Sequence, residues 1–300
     1  MNAQASSDYA SLGNQVVSTP SATASSNSLS SFFSEENLVV TKETDALVPG
    51  TLRTLLLQAA GIRHNNPFKI VKISFDPSIR RILITKGNLP AIEEGLTQID
   101  CADRVIIDGS QFDNRYLQNN ETIVGLYLKS SGNTLKGCQI TGFAGHALVL
   151  SGNRNQILNN KFGSEATSNN SANNYGTSPN MNPPSTDNSI GNLGSGIYFL
   201  DFSNDNVVEN NLFFSNKQDG ITFSAQAGVN NRLESNSFSD NGRKGINSNN
   251  NLSQSSRPIL RSVLREGDGY LVSGTLNDPG EIEIFVGTSL GKEGKTLIVP

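Results

Sequence analysis

Charge is scarce in this chain. Only 17% of its 300 residues are charged and the net charge is −4, with no stretch that groups Lys and Arg. Neutralising phosphates needs such clusters, so nucleic acid is not an expected partner. Cysteine is almost absent too. Two residues, Cys101 and Cys138, exclude a disulfide framework, and buried free thiols are the reading favoured over a bridge. No run of about eighteen apolar residues occurs, so no membrane-spanning helix and no membrane insertion are expected. The opening stretch MNAQASSDYASLGNQVVSTPSATASS has neither a charged n-region nor an apolar h-region, so no signal peptide or anchor is visible in it.

What remains is Asn, Ser, Thr and 28 Gly around a hydrophobic content of 35%. That suits a narrow core in an elongated domain better than a compact globule. Residues 1–34 are too polar to fold alone and read as a disordered linker. From Asn37, LVVTKET is a strand signal, and PGTLRTLLLQAAGI sets Leu52, Leu55, Leu56 and Ala59 at helical spacing, which predicts a capping strand and helix. Four short runs rich in β-branched residues follow, KIVKISFDP, RRILITKGNLPAI, LTQIDCA and RVIIDGS, and read as early coils of a solenoid.

Residues 120–252 carry a repeat. The pattern Asn-x-apolar-x-x-(Asn or Cys)-x-apolar begins at Asn133, Asn155, Asn206 and Asn231, spaced by 22, 51 and 25 residues, so the middle interval is one coil plus an insertion. Short alternating strands precede the repeats, GLYL, ALVL, GIYF and GITF, with a weaker GINS at the end. Alternation turns Leu126, Leu128, Leu148, Leu150, Ile197, Phe199, Ile221 and Phe223 inward. Two further apolar stacks are expected, Leu135-Ile157-Val208-Leu233 and Ile140-Phe162-Phe213-Phe238. Asn160, Asn211 and Asn236 should form an amide ladder that begins at Cys138. A leucine-rich horseshoe is the alternative, but its consensus is denser in Leu and lacks the Gly-led strand. The expected fold is therefore all-β: a right-handed parallel β-helix over residues 35–255 with an N-terminal cap and a long surface loop at 164–194. Alternating strands with hairpin turns over 256–300 predict the start of a β-sandwich, an Ig-like module cut short at Pro300.

The segments GTLRTLLLQAA, LPAIEEGLTQID, VIIDGS, NTLKGCQITGF, NQILNNKFG and YLVSGTLNDPGEIEIF resemble bacterial right-handed parallel β-helix repeat proteins of the pectate-lyase-like superfamily, over roughly residues 37–300. The likeness is greatest to surface or secreted multidomain proteins whose β-helix precedes an Ig-like module. It implies an extracellular or cell-surface location and contact with polysaccharide. It does not imply activity, which belongs to a site.

Lyases of that superfamily use clustered Asp carboxylates for Ca²⁺ with an Arg or Lys base, and its hydrolases use Asn-x-Asp, Asp-Asp, His-Gly and Arg-x-Lys sets. Neither set is complete here. Aligning the strands stacks Val124, His146, Ser195, Asp219 and Lys244, which places Asp219 and Lys244 about 5 Å apart and His146 about 10 Å from Asp219. Asp219 with Lys244, Arg243 or His146 forms the catalytic candidate group; the bland reading is a solvated ion pair beside an unrelated His. Glu209 and Glu234 also stack, but too few oxygens gather for Ca²⁺, so neither metal nor cofactor is expected. The outward series Tyr127, Val149, Tyr198, Thr222 and Asn247 reads as one exposed face. Tyr127 and Tyr198, with Tyr175 from the loop, are the candidate sugar-stacking residues; ordinary strand propensity is the competing account. Three functions compete: a non-catalytic module for glycan binding, adhesion or display, monomeric within a longer multidomain chain; a polysaccharide lyase or glycoside hydrolase; and a rigid spacer.

Overall fold

The computed structural model describes residues 33–113, 122–164, 191–248, 259–267, 269–275, 284–287 and 294–298. The cap comes first. Strand β1 (Ser34–Val40) is followed by helix α1 (Leu52–Asn65), which packs on it and on β2 (Lys69–Phe75). Thr51 starts the helix, its hydroxyl accepting the Thr54 N–H at 3.3 Å. As expected from their spacing, Leu52, Leu55, Leu56 and Ala59 form the buried stripe of α1. Two arginines are buried with them. Arg53 makes a two-pronged contact with Asp45 at 2.7 and 3.0 Å and donates to the Gly87 and Asn88 carbonyls, while Arg63 donates to the carbonyls of Glu94, Gly95, Pro67 and Lys69.

The early coils use longer strands. β3 (Arg81–Leu83) pairs with β4 (Thr97–Asp108), a 12-residue strand that bends where Ala102 and Asp103 take left-handed backbone. Thus LTQIDCA and RVIIDGS are one bent strand. The coils that follow alternate between two sheets: β5 (Val124–Leu128), β6 (Thr134–Thr141), β7 (His146–Leu150), β8 (Gln156–Leu158) and β9 (Lys161–Gly163), then β10 (Ile197–Phe199), β11 (Val207–Glu209), β12 (Leu212–Phe214), β13 (Ile221–Phe223), β14 (Arg232–Glu234), β15 (Ser237–Ser239) and β16 (Ile246–Asn247). One sheet runs β1-β2-β4-β6-β8-β11-β14, with β3 and the row β9-β12-β15 branching from it; the other runs β5-β7-β10-β13-β16. Every pairing in both is parallel, so each coil stacks on its equivalent and the chain winds as a parallel β-helix.

The expected register holds. Leu135, Ile157, Val208 and Leu233 stack, as do Ile140, Phe162, Phe213 and Phe238. The three phenylalanines lie 5.1 and 5.0 Å apart with near-parallel rings, which adds about 0.5–1.5 kcal/mol per pair beyond burial.

Polar corners hold the coils in line. The ladder foreseen at Asn160, Asn211 and Asn236 is present: each Oδ1 accepts the backbone N–H of the equivalent residue on the coil before, starting with Cys138. The leading asparagines Asn133, Asn155, Asn206 and Asn231 form a second ladder, with Thr97 donating to its first rung. A third, unforeseen, joins Phe143, Asn192, Asn216 and Asn241. In the last two full coils the rungs are five residues apart, at 206, 211 and 216 and at 231, 236 and 241. The residue before a rung commonly sits in left-handed backbone, as at Arg154, Asn159, Asp205, Asn210, Ser215, Asn230, Ser235 and Asp240. Residues 191–194, counted with the loop from sequence, therefore belong to a coil.

The two cysteines are not free. Cys101 and Cys138 form a disulfide between neighbouring coils, with Cα atoms 4.8 Å apart. β4 pairs with β6 through Asp100 and Lys136 and again through Val105 and Cys138, so the bend between brings Cys101 beside Cys138 on the next coil, within reach of a bridge. After the solenoid, β17 (Ile259–Glu266) and β18 (Gly269–Thr275) pair antiparallel, as do β19 (Ile284–Gly287) and β20 (Gly294–Ile298). These two hairpins fit the start of a β-sandwich. Of residues 1–34, read as a linker, 1–32 lie outside the described residues, as do 165–190, while Ser34 already opens β1.

Candidate functional site

The outward side of β5, β7, β10, β13 and β16 carries both rows of candidates. Pairing of Leu148, Ile197, Ile221 and Ile246 sets His146, Ser195, Asp219 and Lys244 at equivalent places on successive coils, and Tyr127, Val149, Tyr198, Thr222 and Asn247 likewise. The topology therefore assembles the candidates as aligned. Their chemistry differs from expectation.

Asp219 is 1% exposed. Its Oδ1 accepts the Lys244 backbone N–H at 3.0 Å, and its Oδ2 accepts from Thr222 Oγ1 at 2.9 Å and Asn247 Nδ2 at 3.0 Å. The expected solvated ion pair with Lys244 is thereby corrected, since Lys244 offers its main chain while its side chain, like that of Arg243, is exposed. A carboxylate buried on a sheet needs donors that stay fixed, and the next coil supplies them from its backbone. Asp219 ties one coil to the next.

Ser195, wholly buried, shares a 2.8 Å hydrogen bond with Thr222 through their hydroxyls, and its backbone N–H donates to His146 Nδ1 at 2.9 Å. An imidazole that accepts at Nδ1 is neutral and carries its proton on Nε2. Burial pushes the His146 pKa below its ordinary value, in the same direction. Ser195, His146 and Asp219 lie close together without being a triad. The serine hydroxyl is bonded to Thr222 instead of the imidazole, and both Asp219 oxygens are engaged elsewhere.

The tyrosine row is a half-covered face. Val149 and Thr222 are only 5% and 6% exposed: the valine lies between Tyr127 and Tyr198, and the threonine hydroxyl is drawn down to Asp219 and Ser195. The face predicted to be open is thus exposed chiefly at its half-buried tyrosines. The Tyr198 ring stacks on His146 at 4.6 Å between centroids, and Lys129 Nζ lies 5.2 Å from the Tyr127 ring while donating to Glu93. Tyr175 lies outside the described residues.

Glu209 and Glu234 do stack, and Arg232 reaches both, at 3.7 and 2.5 Å. Among the described residues no group of three or more His, Cys, Asp and Glu is placed to hold a metal ion, and no helix is long and apolar enough to cross a membrane.

Sequence reasoning missed Ser195 and Thr222 as the partners that fix this face. It also missed the corner after β10. There Asp201 accepts from Ser224 at 2.5 Å and bridges to Ala227, Asn204 Oδ1 accepts the Val229 N–H at 2.8 Å, and Asn230 donates to Asp205 at 3.2 Å. At its tip Phe202 is 70% exposed with a φ of +62°.

Residues 98–260, just over half of the chain, match the family model described as right handed beta helix region. The chain belongs to that family. No curated protein matches the chain. Among solved structures, the pectate lyase Pel9A is similar to this β-helix over 73% of the chain and 52% of its own length, with 15% identity and a TM-score of 0.48. The chain spans about half the length of that enzyme.

Proposed function

We propose that this β-helix is a non-catalytic module of an extracellular or cell-surface protein, holding a glycan against the outward side of β7, β10 and β13. One observation carries the reading: the reactive-looking groups of that face are consumed in bonds between coils, while Tyr198 keeps a partly open surface. Asp219 has its oxygens filled by Lys244, Thr222 and Asn247, so it is not poised to serve as the acid or base of glycosidic cleavage. A ring with an apolar face and a polar edge, such as that of Tyr198 on β10, suits a sugar. The Cys101–Cys138 disulfide supports an oxidising compartment.

The test is a panel of polysaccharides offered to the purified chain, with binding and the release of reducing or unsaturated ends read together. Binding without product is expected. Product that disappears in Asp219→Ala, with folding intact, would make this a lyase or hydrolase; neither binding nor product would leave a rigid spacer.

A further inference from the structure

Left-handed backbone on this solenoid is a position for small or polar residues. Outside glycine it is taken mainly by Asn, Asp, Ser and Arg, because a Cβ crowds the following carbonyl there and short polar side chains offset the strain best. Phe202 breaks the pattern. Among the described non-glycine residues with positive φ, Leu96 is partly buried and Ala102 is small, whereas Phe202 is a bulky aromatic with 70% of its surface in solvent. Its backbone is bonded, the N–H donating to the Gln226 carbonyl at 2.9 Å and the carbonyl accepting from Asn204 at 2.6 Å, but its side chain gains no burial and any of the short polar residues would make the same turn with less strain. Strain combined with exposure at one aromatic points to a task outside the fold.

The surroundings say which task. The corner is longer here than on the coil before: Phe199 to the ladder residue Asn206 takes seven residues, where Leu150 to Asn155 takes five. The extra chain is held rigidly by the Asp201–Ser224, Asn204–Val229 and Asn230–Asp205 bonds. Asp201 and Asp205, one residue before and three after Phe202, are exposed; besides the oxygen that each gives to Ser224 or Asn230, each has a second carboxylate oxygen that accepts hydrogen bonds from hydroxyl groups. Their negative charges repel carboxylates or sulfates. Tyr198, half-buried Leu200 and Phe202 follow at alternate positions along β10 and past its end, spanning up to ~13 Å.

Resting on the glycan reading above, we infer that Phe202 is the stacking residue of a subsite for a neutral hexopyranose, and that the glycan runs along β10 from the His146–Tyr198 stack to this corner, across the solenoid axis. Asp201 and Asp205 accept hydrogen bonds from the sugar hydroxyls at the Phe202 end. Tyr127, two coils away along the axis, stands outside this track.

Calorimetric titration of the whole chain with cellohexaose, xylohexaose and mannohexaose, against hexamers of galacturonate and of alginate, tests the assignment. A neutral hexaose is expected to bind, Phe202→Asn to weaken it at least tenfold, Phe202→Trp to retain it, and Tyr127→Ala to change it less than twofold. Asn tolerates left-handed backbone, so Phe202→Asn should melt at or above the wild-type temperature; a fall in melting temperature would make Phe202 a structural residue and overturn the inference. So would undiminished binding by Phe202→Asn, preference for the acidic hexamers, or loss of binding in Tyr127→Ala alone, each of which leaves glycan recognition standing. Failure of the wild-type chain to bind any hexamer would overturn the broader reading as well.

Discussion

The two ends of the β-helix are held by different chemistry. Around α1 and β2 to β6, strands run to 12 residues, coils are cross-linked by Cys101–Cys138, and the cap is clamped by Arg53 and Asp45. From β8 to β15 most strands have three residues, and order is imposed at the corners by amide ladders. A three-residue strand contributes few backbone bonds, so without the rungs each corner would leave N–H groups buried and unpaired. The ladders end where the strands lengthen, with Thr97 at the start of β4 and Cys138 within β6 among their outermost donors. Specific charge pairs and a covalent link recur where the repeat is irregular, and a repeated amide serves where it is regular.

This contrast can be broken at either end. The largest loss is expected from Asp45→Ala, which leaves the buried Arg53 guanidinium uncompensated and deprives the Thr85 and Lys86 N–H groups of their acceptor. About 3–5 kcal/mol should vanish from chemical unfolding, with hydrogen exchange quickening in α1 and β2 first. Removing the disulfide comes next. Its ends are 37 residues apart, so Cys101→Ala with Cys138→Ala should cost up to about 3–4 kcal/mol, and a reducing agent should lower the wild-type melting temperature but not that of the double variant. Asn211→Ala attacks the other end. It strips an acceptor from Asn160 and donors from Asn236 and the Ile157 carbonyl, for about 2–3 kcal/mol. Exchange should rise in β11 to β15 while α1 stays protected; equal loosening at both ends would show the coils to be one cooperative unit.

The smallest effect is a pH dependence at His146. Its folded pKa lies below the unfolded value, so the neutral form is the one the fold favours. The stability it contributes is complete above about pH 6.5, the ordinary histidine value, and is lost as the pH falls towards the folded pKa. Melting temperatures of the wild type and His146→Gln should diverge less at pH 5 than at pH 7.5.

The register was legible because two independent signals agree on it. Gly-led strands fix one sheet and the spacing of Asn and apolar residues fixes the other, so the inward stacks from Leu126 to Phe223 needed no contact information. The third ladder was hidden because 165–190 separates Asn192 from its coil and because Gln218, not an apolar residue, follows Asn216 by two. The disulfide was hidden because the early coils lack the Asn pattern that would align Cys101 with Cys138. Asp219 shows a different gap. Periodicity says which residues stack from coil to coil, and it set Asp219 between Ser195 and Lys244 as the pairing shows, but its burial depends on hydroxyls at Ser195 and Thr222 and on the backbone at Lys244. Partners gathered from three coils leave no local trace, and neither does the left-handed φ of Phe202.

The third corner has one more consequence. Asn192 follows Asn160 by 32 residues, where the next coils take five, yet it accepts from Phe143 on one side and donates to Asn216 on the other as though nothing intervened. Gly163 and Gly191 flank the gap, each with backbone so close to the coil beneath that an added Cβ would collide with a carbonyl oxygen there, of Phe214 and Ser215 respectively. Length at this point is uncoupled from winding, which makes the corner a socket: peptide spliced between the two glycines is taken up without disturbing the rung that Asn192 forms between Phe143 and Asn216.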